Sequence, residues 1–187
     1  MKKLVVFASG SGTNALNLIH HFKKGEIARV VAVFCNNPNA GVIDKAKKEN
    51  VPVIVFSKQD FQENNFDSTL SDCNPDLIVL AGFLLLFPQR LVAKYTNKIV
   101  NIHPAVLPKY GGRGMYGDHV HNAVLANGEK EHGVTVHLVN EEYDKGEIIS
   151  QEAFKIEKND TLESVAKKIH ALEFEIYPKA IEKILRK

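Results

Sequence analysis

Leu4-Val5-Val6-Phe7-Ala8 is apolar at every position, and Ser9-Gly10-Ser11-Gly12 cuts it off. A strand with one solvated face alternates apolar and polar residues. An unbroken apolar run instead predicts a strand covered on both faces, as in a parallel sheet between helices. The residues beyond the turn agree. Ala15, Leu16, Leu18, Ile19 and Phe22 recur at helical spacing, and Lys23-Lys24-Gly25 places basic residues and a glycine where a helix stops. The alternation then repeats. Val30–Phe34, Val53–Phe56, Leu77–Ala81 and Lys98–Ile102 read as strands, with helices predicted over Gly41–Glu49, Asp60–Cys73 and Pro88–Tyr95. This order predicts an α/β fold: a mostly parallel twisted sheet with helices on both faces.

The register changes after His103. Lys109–Asp118 is glycine-rich and aperiodic, so it reads as a loop, and His119–Ala126 as a helix. Val134–Val139 and Ile148–Ile156 read as strands forming a hairpin-like addition to the sheet. A last helix is expected to open with Asp160 and Glu163 at capping-box spacing. Its buried stripe runs through Leu162, Val165, Ala166, Ile169, Leu172, Ile176, Ala180, Ile181 and Ile184, with a kink expected at Pro178. With 187 residues, no repeat and no linker-like stretch, one domain over residues 1–187 is expected.

The formal charge is +2 and no block of five like charges occurs, so nothing marks a nucleic-acid partner. Two cysteines, Cys35 and Cys73, form neither a disulfide framework nor a paired metal motif, which fits a reduced cytoplasm. The N-terminal apolar run is too short for a signal peptide or a membrane span, so no membrane partner is expected.

Two stretches carry chemistry. In Ser9-Gly10-Ser11-Gly12-Thr13-Asn14-Ala15 the glycines let backbone approach a phosphate, and helix N-terminal amides favour an anion. The spacing also meets the loose dinucleotide pattern. Against that reading, the second strand ends in Cys35-Asn36-Asn37-Pro38 and lacks the acid that would hold a ribose. A single phosphate fits better. The bland alternative is a tight turn with Ser11, Thr13 or Asn14 capping the helix. The second stretch is Val100-Asn101-Ile102-His103-Pro104. In an extended chain residues i and i+2 face the same side, so the Asn101 amide and the His103 imidazole project together. Such a pair can hold a carbonyl oxygen that is turning negative, and an acid such as Asp144 can tune the imidazole. His103, His119, His121, His132 and His137 lie close in sequence, but no cysteine pair supports zinc and no metal is expected.

Leu80-Ala81-Gly82-Phe83, Asn101-Ile102-His103-Pro104, Leu107-Pro108-Lys109-Tyr110, His132-Gly133, Val136-His137 and Asp144 with Gly146 together resemble the folate-dependent formyltransferases. The resemblance covers nearly the whole chain and reaches Glu173 and Tyr177-Pro178. It implies a Rossmann-like formyltransferase fold. It also implies transfer of a formyl group from 10-formyltetrahydrofolate, as co-substrate, to the amine of 5'-phosphoribosylglycinamide in de novo purine (IMP) biosynthesis. Carried over residue by residue, it makes Asn101, His103 and Asp144 catalytic. Gly12, Thr13 and Asn14 would cradle the ribonucleotide phosphate, with His170 and Glu173 contacting the same substrate. Leu84, Leu85, Leu86 and Phe87, with Asn140, Glu141, Glu142 and Tyr143, would embrace the pterin, largely through backbone. An Asp144 carboxylate would favour a protonated His103. A monomer or homodimer is expected.

The chain departs from the pattern in places. Relatives carry a basic residue where Leu85 stands and an arginine near Glu63, which leaves Lys58 as a candidate for the folate tail. The 111–117 segment is longer and richer in glycine, as a mobile lid or simply a different loop. The rivals are a formyltetrahydrofolate hydrolase, another folate-dependent formyltransferase such as one acting on methionyl transfer RNA, and a non-catalytic nucleotide-binding module. A chain ending at Lys187 is expected to lack the extra domains of the hydrolase and of the transfer-RNA enzyme.

Overall fold

The computed structural model describes residues 1–63 and 65–186. Among these residues the elements run in the order β1 (Lys2–Ala8), α1 (Thr13–Lys23), β2 (Ala28–Cys35), α2 (Gly41–Lys48), β3 (Val53–Val55), α3 (Lys58–Gln62), α4 (Asn65–Asp72), β4 (Leu77–Leu80), α5 (Gln89–Lys94), β5 (Ile99–His103), α6 (Asp118–Ala126), β6 (Glu131–Leu138), β7 (Ile148–Lys155) and α7 (Leu162–Leu185). The strand order is β3-β2-β1-β4-β5-β6-β7. The residues group into two compact units, one of Met1–Val100 with the chain end from Leu185, the other of Asn101–Ile184.

In the first unit β1 pairs in parallel with β2 on one side and β4 on the other, and β3 extends β2. Leu4 through Ala8 are fully buried, as their unbroken apolar character requires. Each large side chain among them contributes about 1.5–3 kcal/mol by leaving water. The chain runs outward from β1 to β3 and then returns to β4, so β1 and β4 flank a topological switch point, where such sheets bind ligands. Their ends are joined there by the Ser9 N–H donating to the Gly82 carbonyl at 3.0 Å. Seven phenylalanines, Phe7, Phe34, Phe56, Phe61, Phe66, Phe83 and Phe87, form a contiguous ring cluster centred on Phe7.

In the expected Asp60–Cys73 helix, α3 ends at Gln62 and α4 starts at Asn65; residue 64, inside that span, lies outside the described residues. Ser57 and Asp60 form a reciprocal capping box that starts the first piece early, and Glu63 takes an extended conformation that ends it.

In the second unit β6 and β7 form the expected antiparallel hairpin, with β6 starting three residues earlier than predicted, at Glu131. The α7 cap also differs from the expectation. The Ser164 N–H donates to Thr161 Oγ1 at 3.2 Å and the Thr161 N–H to Ser164 Oγ at 2.9 Å, so these two residues make the reciprocal pair, not Asp160 and Glu163. Asp160 stands one position outside and binds the Ser164 hydroxyl and Lys168. The buried stripe of α7 includes Val165, Ile169, Ile176, Tyr177, Ala180 and Ile181, and one carboxylate, Glu173, lies within it.

Candidate active site

Strand β5 delivers Asn101 and His103 to the same side, and β6 delivers Thr135 and His137 by the same two-residue period. Asn101 is half-buried, while His103 and His137 are buried. The His137 Nδ1–H donates to the Leu138 carbonyl at 2.9 Å, so a neutral ring presents a bare Nε2. That atom takes the Asn101 amide N–H at 3.2 Å. Asn101 is thereby oriented with its second N–H unspent on His137.

Asp144 sits beyond β6 with φ 53, a left-handed conformation that aspartate tolerates. Its Oδ2 accepts the Gly112 N–H at 2.8 Å and lies 3.7 Å from His103 Nδ1. Its Oδ1 lies 3.4 Å from His137 Nε2. Nε2 cannot serve both neighbours at once: neutral, it accepts from Asn101; protonated, it donates to Asp144. The fold thus brings the three sequence-predicted groups, Asn101, His103 and Asp144, to one point, with His137 between two of them.

His103 Nε2 lies 2.8 Å from the Tyr110 carbonyl, which can only accept. In the neutral ring the proton is therefore on Nε2, and Nδ1 is the basic atom, turned towards Asp144. Burial pushes this imidazole below its ordinary range. Asp144 and the Tyr110 carbonyl pull it up, His137 pushes it down and Glu173 pulls it up, but burial prevails. Asp144 favours the protonated ring, as expected, but desolvation outweighs a carboxylate 3.7 Å away, so the net shift is downward. Burial also works to raise the Asp144 carboxyl, yet the hydrogen bond with His137, the charge of His103 and the Gly112 N–H together bring it below its ordinary range.

The segment after His103 is pinned from β6 and β7. Thr135 Oγ1, fully buried, donates to the Ala105 carbonyl at 2.7 Å and accepts from the Leu107 N–H at 3.1 Å. Gln151 Nε2 reaches both Thr135 Oγ1 and the Leu107 carbonyl. Sequence reasoning missed Thr135, Gln151 and the orienting role of His137. The period that paired Asn101 with His103 would have paired Thr135 with His137.

On α7, His170 Nδ1 and Glu173 Oε2 are 3.1 Å apart. The hydrogen bond to Glu173 raises the His170 pKa despite partial burial. His121 Nδ1 and His132 Nε2 are 2.9 Å apart and buried. Among the described residues no group of three or more His, Cys, Asp or Glu side chains is arranged to hold a metal ion.

In the first unit the glycine turn ends at Gly12, which has φ 73 and is the N-cap of α1. A Cβ there would run into Val42. The alternative of a Ser11, Thr13 or Asn14 cap is not realised: the N-cap has no side chain to offer. Lys45 Nζ reaches the Ser11 carbonyl at 2.6 Å, which sets a cation beside the turn. Ser9 Oγ accepts the Leu84 N–H at 2.9 Å and so ties the 84–87 segment to the end of β1. Leu84 and Leu86 expose more than half of their surfaces, at 57% and 54%, whereas Phe87 is core: its ring packs edge-on against Phe7. Of the expected folate wall, the Phe87 side chain is therefore committed elsewhere.

Arg90 lies beside the 61–63 segment, and its guanidinium is spent on the Phe61 and Glu63 carbonyls and on Asp67. Asn140, Glu141, Glu142 and Tyr143 are exposed, with the Glu142 N–H turned onto Asn140 Oδ1. The 111–117 segment is built of turns, with Met115 packed on the Ala105, Val120 and Val124 cluster.

Comparison with known proteins bears on this geometry. A formyl transferase family matches residues 2–181. The sequence is 38% identical to the chloroplastic phosphoribosylglycinamide formyltransferase of Arabidopsis thaliana, across 96% of this chain and 64% of that protein. It is 37% identical to the phosphoribosylglycinamide formyltransferase of Bacillus subtilis (strain 168), across 99% of this chain and 95% of that one. The chain thus spans under two thirds of the plant relatives, 64% of the Arabidopsis protein and 60% of that of Vigna unguiculata. The crystal structure of glycinamide ribonucleotide transformylase 1 from Geobacillus kaustophilus shares the fold with a TM-score of 0.90, at 38% identity and 99% coverage of each chain.

Proposed function

The chain belongs to the formyl transferase family, and we propose that it moves a formyl group from 10-formyltetrahydrofolate to the amine of 5'-phosphoribosylglycinamide. The observation that carries the reading is the meeting of an amide N–H, a bare imidazole nitrogen and a carboxylate at Asn101, His103 and Asp144. These are the groups that acyl transfer to an amine needs. As the amine nitrogen bonds to the formyl carbon, the carbonyl oxygen takes up the π electrons and becomes an oxyanion. The second Asn101 N–H donates to it, an interaction that strengthens as the charge develops.

The attacking nitrogen must lose a proton. His103 Nδ1 is free to take it, directly or through a water held by Asp144, and the imidazolium so formed faces the Asp144 carboxylate. The same proton then passes to folate N10 as the carbon–N10 bond breaks. The product amide carries the formyl group, and no covalent link to the protein forms. Burial pushes the Cys35 and Cys73 thiols up, away from the nucleophilic thiolate.

The family resemblance assigns the ribonucleotide phosphate to Gly12, Thr13 and Asn14. The glycine N-cap of α1, which has no side-chain cap bond, and the neighbouring Lys45 support that assignment. It assigns the rest of that substrate to His170 and Glu173. The pterin goes to the backbone of 84–87 and 140–143, where Leu84 and Leu86 offer exposed apolar surface. The reading includes one catalytic domain over residues 1–187, a cytoplasmic location, a monomer or homodimer, and no metal.

The test is an absorbance assay of purified protein with 10-formyltetrahydrofolate, with and without 5'-phosphoribosylglycinamide. Folate product is expected only when the amine is present. Equal loss of the formyl group without the amine makes the protein a hydrolase, and no turnover in either case leaves a binding module.

A further inference from the structure

Tyr110 contributes to the site through its backbone, and that backbone is in an unfavourable conformation. Its φ is 57, in the left-handed region that an aromatic residue with a Cβ rarely adopts. In that conformation the Tyr110 carbonyl accepts the His103 Nε2–H at 2.8 Å, and two residues on the Gly112 N–H donates to Asp144 Oδ2 at 2.8 Å. One three-residue stretch therefore fixes the tautomer of the imidazole and the direction of the carboxylate. Gly111 is the link between them, with no room for a side chain: a Cβ there would lie 2.7 Å from Leu107 Cδ2 and 3.2 Å from Asp144 Cβ.

Something must hold Tyr110 in place against this conformational cost. Its ring packs on Ala105, Val120 and Val124. Its hydroxyl donates to Glu129 Oε1 at 3.0 Å and accepts from Asn127 Nδ2 at 2.9 Å. Both partners lie in the turn between α6 and β6. Lys109 Nζ clamps the same carboxylate at 3.0 and 3.2 Å. Among the described residues these side-chain bonds link to His103 and Asp144 through the Tyr110–Gly112 backbone.

We infer that Tyr110, Asn127 and Glu129 are positioning residues: the hydroxyl anchor on the α6–β6 turn holds the Tyr110–Gly112 backbone so that His103 keeps a bare Nδ1 facing Asp144. The inference rests on the proposed formyl transfer for its kinetic consequence, but its structural consequence is independent of any substrate.

Tyr110→Phe keeps the ring and removes both hydroxyl bonds. Glu129→Ala removes the acceptor, and Glu129→Gln keeps an acceptor oxygen without the charge. Nitrogen-15 NMR of the imidazoles, on the protein without substrate, is expected to show a single Nε2–H tautomer for His103 in the wild type and in Glu129→Gln. A mixed-tautomer signal is expected in Tyr110→Phe and Glu129→Ala. In the formyl-transfer assay the last two should lose about 10- to 100-fold in kcat, with KM for either substrate within about twofold, as expected when a reacting group is displaced.

The acid limb of the kcat/KM profile should also move lower in pH, because the Tyr110 carbonyl is one of the groups that raise His103. The other charged or titratable groups facing His103 are Asp144, His137, Glu173 and His132, and they are unchanged in these variants. An unperturbed His103 tautomer in Tyr110→Phe overturns the inference, as does a Glu129→Gln as defective as Glu129→Ala. If the wild type transfers no formyl group, the proposed function fails while the tautomer measurement still decides the role of the anchor.

Discussion

His103 is where sequence and structure disagree about a charge while agreeing about a place. The two-residue period put Asn101 and His103 on one side of a strand, and His103 stands beside Asp144 while Asn101 bonds His137, itself beside Asp144. A nearby carboxylate suggested an imidazolium, but that inference ignored how deeply the ring is buried, which no single-residue pattern records. Burial wins, so the resting imidazole is poised to accept a proton and becomes cationic only as the reaction proceeds. The sign of the pH dependence follows. If bare Nδ1 is required, kcat/KM falls as pH drops through the pKa of His103, which lies below the ordinary 6.5. Asp144→Asn removes a group that raises that pKa, so the remaining activity should show its acid limb at still lower pH. A limb displaced upward would remove His103 from the base role. His103→Ala should lower kcat about 100- to 1,000-fold with a much smaller change in KM, as for the loss of a positioned general base. Near-normal turnover in His103→Ala would sink the assignment.

Helices show what a sequence pattern can and cannot bound. The span read as one helix, Asp60–Cys73, contains two pieces because local capping overrode a weak polar periodicity. The start was legible: Ser57 and Asp60 stand at capping-box spacing, and both reciprocal bonds form. At α7 the same motif misled, since Asp160 and Glu163 have the spacing but Thr161 and Ser164 make the bonds, one position further on. Two overlapping polar pairs cannot be ranked without knowing where the first buried residue, Val165, must point. The short α3 matters because it carries Phe61, fully buried against Phe7, Phe56, Phe66, Phe83 and Phe87. A five-residue helix has little stability of its own, so its cap and its anchor should act together. Ser57→Ala is expected to cost about 1 kcal/mol, and Phe61→Ala about 3–5 kcal/mol by leaving a cavity in the ring cluster. Urea unfolding followed by circular dichroism measures both. A Phe61→Ala loss no larger than that of Ser57→Ala would show that the cluster closes over the gap and does not depend on this ring.

At the scale of the molecule, the order of strands and helices was readable because each element announces itself locally, in apolar runs, helical periods and glycine stops. The pairing of buried polar groups was not readable, since His121 and His132 meet only once α6 and β6 are in place. That pair has a consequence for the stability of the whole fold. Their ring nitrogens are 2.9 Å apart, so one ring donates and the other accepts, and the pair is stable as two neutral rings. Burial first, then His121 and His103, pushes the His132 pKa down from 6.5 to about 4. His121 is lowered as well, again chiefly by burial. In the unfolded chain both return to ordinary values. Between pH 6.5 and 4 the unfolded state therefore binds protons that the native state refuses, and stability falls as pH falls. His170 acts in the opposite sense: Glu173 raises it, so its contribution is complete at low pH and is lost as pH rises through its folded pKa. Lowered carboxylates such as Asp60 and Asp76 begin to matter only nearer their ordinary value of 3.8. Asp160, held at about 2 first by Lys168, keeps its bonds to the start of α7 well below that window. The histidines thus govern the interval. From pH 7 to 4.5, His132 alone should remove on the order of 2–3 kcal/mol of unfolding free energy. His132→Gln, which cannot titrate there, should unfold with a flatter pH dependence even though it is less stable at pH 7. Urea midpoints at half-unit steps would reveal it, and a wild-type profile that is flat from pH 7 to 4.5 would mean that the buried pair does not stay neutral in the native fold.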